Sequence, residues 1–139
     1  MRAIYLHGPD DLRLRDVDRR SVSEGTVRVD IGYTGICGSD LHEYNSGPTP
    51  IRKPENNHSI PESEGDEYLP KPMGHEIAGE VAEVGAGVDT VDVGDRVALN
   101  MVFGCHDCRY CAEGKYHLCE RGSGGVVSSR GFAESIVVP

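Results

Sequence analysis

The sequence predicts a mainly β fold with short helices and a small cysteine-ligated lobe, and three observations predict it. Eighteen glycines and eight prolines, with no tryptophan and only two phenylalanines, suggest a loop-rich, mostly β chain. Several short stretches alternate apolar and polar residues at period two, the mark of strands half-buried on one face. Four of the five cysteines, Cys105, Cys108, Cys111 and Cys119, fall into a C-x2-C-x2-C-x7-C run. At 139 residues the chain is one domain, residues 1–139, large enough to bury a core of its own.

Residues 2–6 read as a short strand, and His7, Gly8, Pro9, Asp10 and Asp11 as a turn in which His7 has no assignable role. Leu12 to Val17 alternate apolar and charged, as a half-buried antiparallel strand does. After a polar break at 21–25, Val27, Val29, Ile31 and Tyr33 recur at period two and predict a strand that runs into Gly32 and Gly35. Residues 39–44, SDLHEY, suit a short helix that Ser39 is able to cap. Residues 45–72 hold six of the eight prolines and predict a long irregular loop, with His58 on its surface. Beyond Gly74, His75 and Glu76, residues 77–84 form a clear β segment. Turns follow at 85–87 and 91–95, then strands at 96–100 and 132–138 on either side of the cysteine lobe.

The cysteines carry the strongest local signal. Four thiolates close together repel one another unless a soft divalent ion neutralises them, and Zn2+ does so with a closed tetrahedral S4 shell. Two other readings compete. Disulfides would have to close strained two-residue loops, and nothing suggests secretion. An iron–sulfur cluster would suit the C-x2-C-x2-C opening, but its run expects the fourth cysteine after three residues, followed by proline; here the gap is seven and Glu120 follows. His106 and His117 lie between complete thiolate ligands and read as surface residues.

Charge narrows the partners. Asp plus Glu number 23 against 14 Lys plus Arg, a formal −9 that would repel nucleic-acid phosphates. Only three of the basic residues are lysine, a balance that suits a halophile's cytosol or an acidic mesophile protein. No apolar run reaches membrane length and no signal-peptide core opens the chain, so a cytoplasmic location without membrane contact is expected.

GICGSDLHEY, PMGHEIAGEVAEVGAGV, VGDRVALN and the four-cysteine lobe, in that order, resemble the zinc-dependent medium-chain alcohol and polyol dehydrogenases over almost the whole chain. The separation of 38 positions between Cys37 and His75, with a proline-rich stretch between them, is similar to the 2,3-butanediol dehydrogenase branch. The resemblance implies a GroES-like, partly open β-barrel with a zinc lobe at about 104–120. It also implies a catalytic zinc held by Cys37 and His75, with Glu76 as a third acidic neighbour. Ser39 resembles the hydroxyl that takes the alcohol proton, His42 the histidine that passes it on, and Asp40 the carboxylate that orients a zinc-binding imidazole. Oxidising an alcohol by hydride transfer requires its hydroxyl proton to leave, and a zinc ion with an open position serves as the Lewis acid.

The same resemblance covers only the first half of the family's chain. A last protein ligand to the catalytic zinc would come from beyond Pro139. No G-x-G-x-x-G opens a helix, since Gly85-Ala86-Gly87 and Gly122-Ser123-Gly124-Gly125 both lack the third glycine. NAD or NADP is therefore expected only with a Rossmann half, on a partner chain or a longer product, with homo-oligomers also open. Two functions stand: the catalytic portion of an enzyme acting on a small alcohol or diol, inactive without its other half, or a zinc-binding GroES-like module without catalysis.

Overall fold

The computed structural model describes residues 1–47, 69–100, 102, 104–120 and 130–139. The expectations for 48–68, with His58, and for Gly122 to Gly125 lie outside the described residues.

Two sheets make up the body. The first has strand order β2-β1-β4, with β1 at Arg2–Gly8, β2 at Asp11–Asp16 and β4 at Lys71–Pro72. The second has order β6-β5-β3-β7, with β3 at Val27–Gly35, β5 at Glu76–Val84, β6 at Arg96–Ala98 and β7 at Ser135–Val138. All pairings are antiparallel. Phe132 to Glu134 join the sheets. Ile4 donates to the Phe132 carbonyl at 2.7 Å, Ala133 bridges Ala3, and the Glu134 carbonyl accepts from Ile31 at 2.9 Å. One segment thus leaves β1 and becomes β7 beside β3, a corner that curls the two sheets into a partly open barrel.

The period-two pattern of β3 explains the core. Val27, Val29, Ile77, Ile136 and Val138 form its buried cluster, with Ile31, Val84, Val88, Val91, Val97 and Leu99 packed around it. Each such aliphatic side chain taken out of water contributes about 1.5–3 kcal/mol. The alternation then breaks. Ile31 faces Gly79 and Tyr33 faces Ala78, so Gly32 is an extra residue on β3. This bulge turns the next side chain over, and Tyr33, which the alternation groups with Val27, Val29 and Ile31, is 83% exposed. Leu12 and Leu14 of β2 differ from expectation too, at 42% and 64% exposed, because β2 is an edge strand whose apolar side is uncovered among the described residues.

Other boundaries shift for local reasons. β1 runs on to Gly8, which places His7 in the strand, with its Nε2 buried and without a hydrogen-bond partner among the described residues. β4 has only two residues, one of them proline, and has no pattern to be read. The last strand starts at Ser135 rather than 132, since 132–134 serve the corner. Helix α1 spans Gly38–Ser46 and takes Cys37, not Ser39, as its N-cap. Among the described residues no helix is long and apolar enough to cross a membrane.

Candidate metal centres

The cysteine lobe is built locally. Cys105 precedes a turn through His106, which takes a left-handed φ of 56°. Cys108 then caps helix α2, Arg109–Ala112, which carries Cys111, and a 3-10 turn at Tyr116–Leu118 delivers Cys119. Gly104 makes room at the centre, because a Cβ there would lie 2.4 Å from Cys111 Sγ and 2.6 Å from the Tyr116 ring. The four sulfurs all lie within 4.8 Å of one another. Cys105 and Cys111 are 3.9 Å apart, against about 3.8 Å for an edge of a tetrahedral shell with Zn–S near 2.3 Å and about 2.05 Å for a disulfide. The donor set fits zinc.

The thiols are tuned in opposite directions. Backbone N–H groups of Glu120 and Cys111 turned toward Cys108 hold its thiol down to about 6. Burial, and the neighbouring Cys108 sulfur, push the Cys111 thiol up to about 11. His106 and His117 are exposed on either side, and His106 stacks at a tilt on Tyr116 with ring centroids 5.3 Å apart.

The second cluster is assembled from distant parts of the chain. Cys37 sits at the end of α1, while His75 and Glu76 stand at the entry to β5, and their ligand atoms also lie within 4.8 Å of one another. Asp40 organises both segments from a buried position, 5% exposed. Its Oδ2 accepts the Cys37 N–H at 2.9 Å, its Oδ1 lies 3.4 Å from the Gly74 N, and the same oxygen is 3.5 Å from His75 Nδ1. On the other side of the ring, Ser39 Oγ is 3.4 Å from Nε2. With Nδ1 facing the carboxylate, Nε2 is the nitrogen free to bind a cation.

Two glycines permit this geometry. Gly74 has φ +84° and packs so closely on Phe132 that a Cβ would come within 2.5 Å of its ring. The 73–74 backbone is pinned there by Phe132 and Gly131, whose N–H groups donate to Met73 at 2.9 Å and to Gly74 at 2.8 Å. Gly35 lies under Glu76, whose Oε2 would be 2.2 Å from an added Cβ. His42, one turn beyond Ser39 on α1, is exposed.

The structure therefore brings together Cys37, His75, Glu76, Ser39 and Asp40 in one place and Cys105, Cys108, Cys111 and Cys119 in another. Sequence reasoning missed Gly35 beneath Glu76, and missed the reach of Asp40 to Cys37 and Gly74. The first has no signal in a single sequence. The second could have been read from Asp40 standing three residues after the helix cap.

Residues 23–139 match the family described as the alcohol dehydrogenase GroES-like domain. The (R,R)-butanediol dehydrogenase of Bacillus subtilis (strain 168) is 37% identical over 147 residues, covering 99% of this chain and 38% of its own. The sorbitol dehydrogenase of the same organism is 35% identical over 121 residues, covering 86% of this chain and 30% of its own. The crystal structure of 2R,3R-butanediol dehydrogenase from Bacillus subtilis superposes with a TM-score of 0.69 at 36% identity, over 99% of this chain and 38% of that one. The expected mainly β, GroES-like architecture is borne out, and the chain spans less than two-fifths of the length of these relatives.

Proposed function

The chain belongs to the alcohol dehydrogenase GroES-like domain family, and from that membership we propose that it is the site-bearing portion of a zinc-dependent NAD(P) alcohol or diol dehydrogenase. The single observation behind the reading is the convergence of Cys37, His75 and Glu76, with Ser39 against His75 and Asp40 behind it. Their donors match part of a catalytic zinc site, which takes three protein ligands and keeps a position open, with a last protein ligand expected from the part of the relatives' length that this chain does not span. Zinc held there supplies Lewis acidity that makes a substrate hydroxyl easier to deprotonate.

The side chains do the rest. Asp40 holds the His75 ring and the Cys37 backbone in register. Ser39 Oγ receives the hydroxyl proton as it gives up its own, and His42, on the same face of α1, passes it to solvent. Cys105, Cys108, Cys111 and Cys119 hold a second, structural zinc. Residues 1–139 act as one domain, and nicotinamide binding falls to the part of the relatives' length that this chain does not span. Hydride transfer needs both reactants aligned at contact distance, so this chain alone leaves butanediol and sorbitol unoxidised with NAD or NADP.

The test is an assay of the zinc-loaded chain, alone and fused to the Rossmann half of a similar dehydrogenase. Activity that appears only in the fusion and disappears in Cys37→Ser is the expected result. Turnover by the chain alone would overturn the division of labour. A folded, metal-loaded fusion without activity would favour a zinc-bearing module without catalysis.

A further inference from the structure

Helix α1 carries Cys37 at its cap and Ser39 and His42 along it, yet among the described residues apolar packing does not locate it. Asp40 is its one buried residue, and Leu41, its only leucine, is 53% exposed. Besides Ser39 against His75, three polar ties hold the helix among the described residues. The Asp10 N–H donates to the Tyr44 carbonyl at 2.8 Å, Asp40 takes Cys37 and Gly74, and Lys71 Nζ donates to Glu43 Oε1. The third tie has no part in the chemistry described above.

Its placement is informative. Lys71 stands in β4, held to β1 by the pairing of Leu6 with Lys71 and Tyr5 with Pro72, four residues before His75. Glu43 lies one turn beyond Asp40 on the same face of α1. Both side chains are largely out of water, Lys71 at 18% and Glu43 at 13% exposure, so each charge depends on the other. A helix held at Asp40 and at the Tyr44 carbonyl can still turn about the line joining those two points. A third attachment at Glu43 fixes its rotation, and that rotation aims Cys37 Sγ and Ser39 Oγ at His75.

We propose that Glu43 and Lys71 are a positioning pair, an ion pair that sets the spacing of the Cys37, His75 and Glu76 donors without touching substrate or metal. The proposal rests on the reading of those three residues as a metal site. It is tested on the 139-residue chain by titrating the metal-free protein with Co2+. Tetrathiolate and mixed sulfur–nitrogen–oxygen coordination give separate visible bands, so the lobe reports on the same sample as an internal control.

Glu43→Gln and Lys71→Met are each expected to weaken Co2+ binding at the mixed site by about 10- to 100-fold, the usual effect of losing a partner just outside the ligands. The lobe band and its affinity should stay unchanged, while the thermal midpoint falls in each single variant because one buried charge is left unpaired. The exchange Glu43→Lys with Lys71→Glu should restore the mixed site. A mixed-site affinity indifferent to both single variants, in a protein where Cys37→Ser abolishes that band, overturns the pair alone. A mixed band that survives Cys37→Ser overturns the metal-site reading, and the proposal with it. A loss of lobe affinity in step with the mixed site makes the pair merely structural and also overturns it.

Discussion

The cysteine lobe and the Cys37–His75–Glu76 cluster hold their donor atoms within the same 4.8 Å spread and are constructed in opposite ways. The lobe gathers its sulfurs from one contiguous stretch, so closing it around an ion costs little loop entropy. It is small, and two of its cysteines, Cys111 and Cys119, are buried. The cluster draws on residues 38 positions apart, brought together by the corner at 131–134, by Gly74 and by the Asp40 carboxylate. Its Glu76 is exposed. On the proposed reading, metal makes the structure in the first case, and structure makes the metal site in the second. The lobe should lose its fold with its ion, and the cluster should keep its shape without one.

The largest expected effect breaks that comparison directly. Cys111→Ser takes a thiolate from a site whose binding energy is folding energy, at a cost on the order of 3 kcal/mol or more, which lowers the thermal midpoint by roughly 10 °C. Cys37→Ser removes a donor from a pocket that the barrel holds open, and should shift the midpoint hardly at all. Differential scanning calorimetry of the two variants decides it, and equal losses would mean the two clusters stabilise the fold alike. In the same samples, elemental analysis after dialysis against a mild chelator should leave one zinc per chain in the wild type and in Cys37→Ser.

A smaller effect is expected where the cluster meets the fold. In Asp40→Asn the amide cannot accept from the Cys37 N–H, the Gly74 N–H and the His75 ring at once, so one buried donor is left facing another. Such a loss costs about 1–3 kcal/mol. The metal affinity of the cluster should fall about 10- to 100-fold while that of the lobe is unchanged. Co2+ absorption reads both. If the lobe weakened equally, Asp40 would be supporting the whole domain rather than one site.

The same contrast governs what could be read in the sequence. The lobe was legible because its ligands are close in the chain and thiols at that spacing have few other uses. β3 was legible because one buried face imposes period two. The alternation misplaced Tyr33 because the Gly32 bulge is a property of the pairing with β5, which the strand's own residues do not record. Leu12 and Leu14 misled for a related reason: an apolar face predicts burial only where something covers it. Ser39 was a plausible cap by type, but the Asp40 carboxylate, three residues after Cys37, fixed the start two residues earlier. Spacing alone cannot bring Cys37 to His75. Their association was legible only through resemblance to a family, and the tie between Glu43 and Lys71 had no sequence signal at all.

The finest test of the comparison is a single methyl group. A Cβ on Gly35 would stand 2.2 Å from Glu76 Oε2, 3.1 Å from Glu76 Cβ and 3.3 Å from its Cδ. The nearest atom is the tip of a flexible, exposed side chain, so the fold need not yield; the carboxylate moves instead. Gly35→Ala should therefore leave the thermal midpoint within about 2 °C, since surface adjustments of this kind stay within roughly 0.5 kcal/mol. The effect should appear in the metal, because Glu76 is the one donor displaced. Co2+ affinity at the cluster should fall severalfold, less than in Asp40→Asn, with the lobe unaffected. A double-mutant cycle closes the argument. In a Glu76→Gln background the donor is already impaired, and Gly35→Ala should then have no further effect on cobalt binding. An undiminished effect in that background would mean that the methyl group acts on the strand itself. The independence of the cluster's outermost ligand from the barrel beneath it would then be lost.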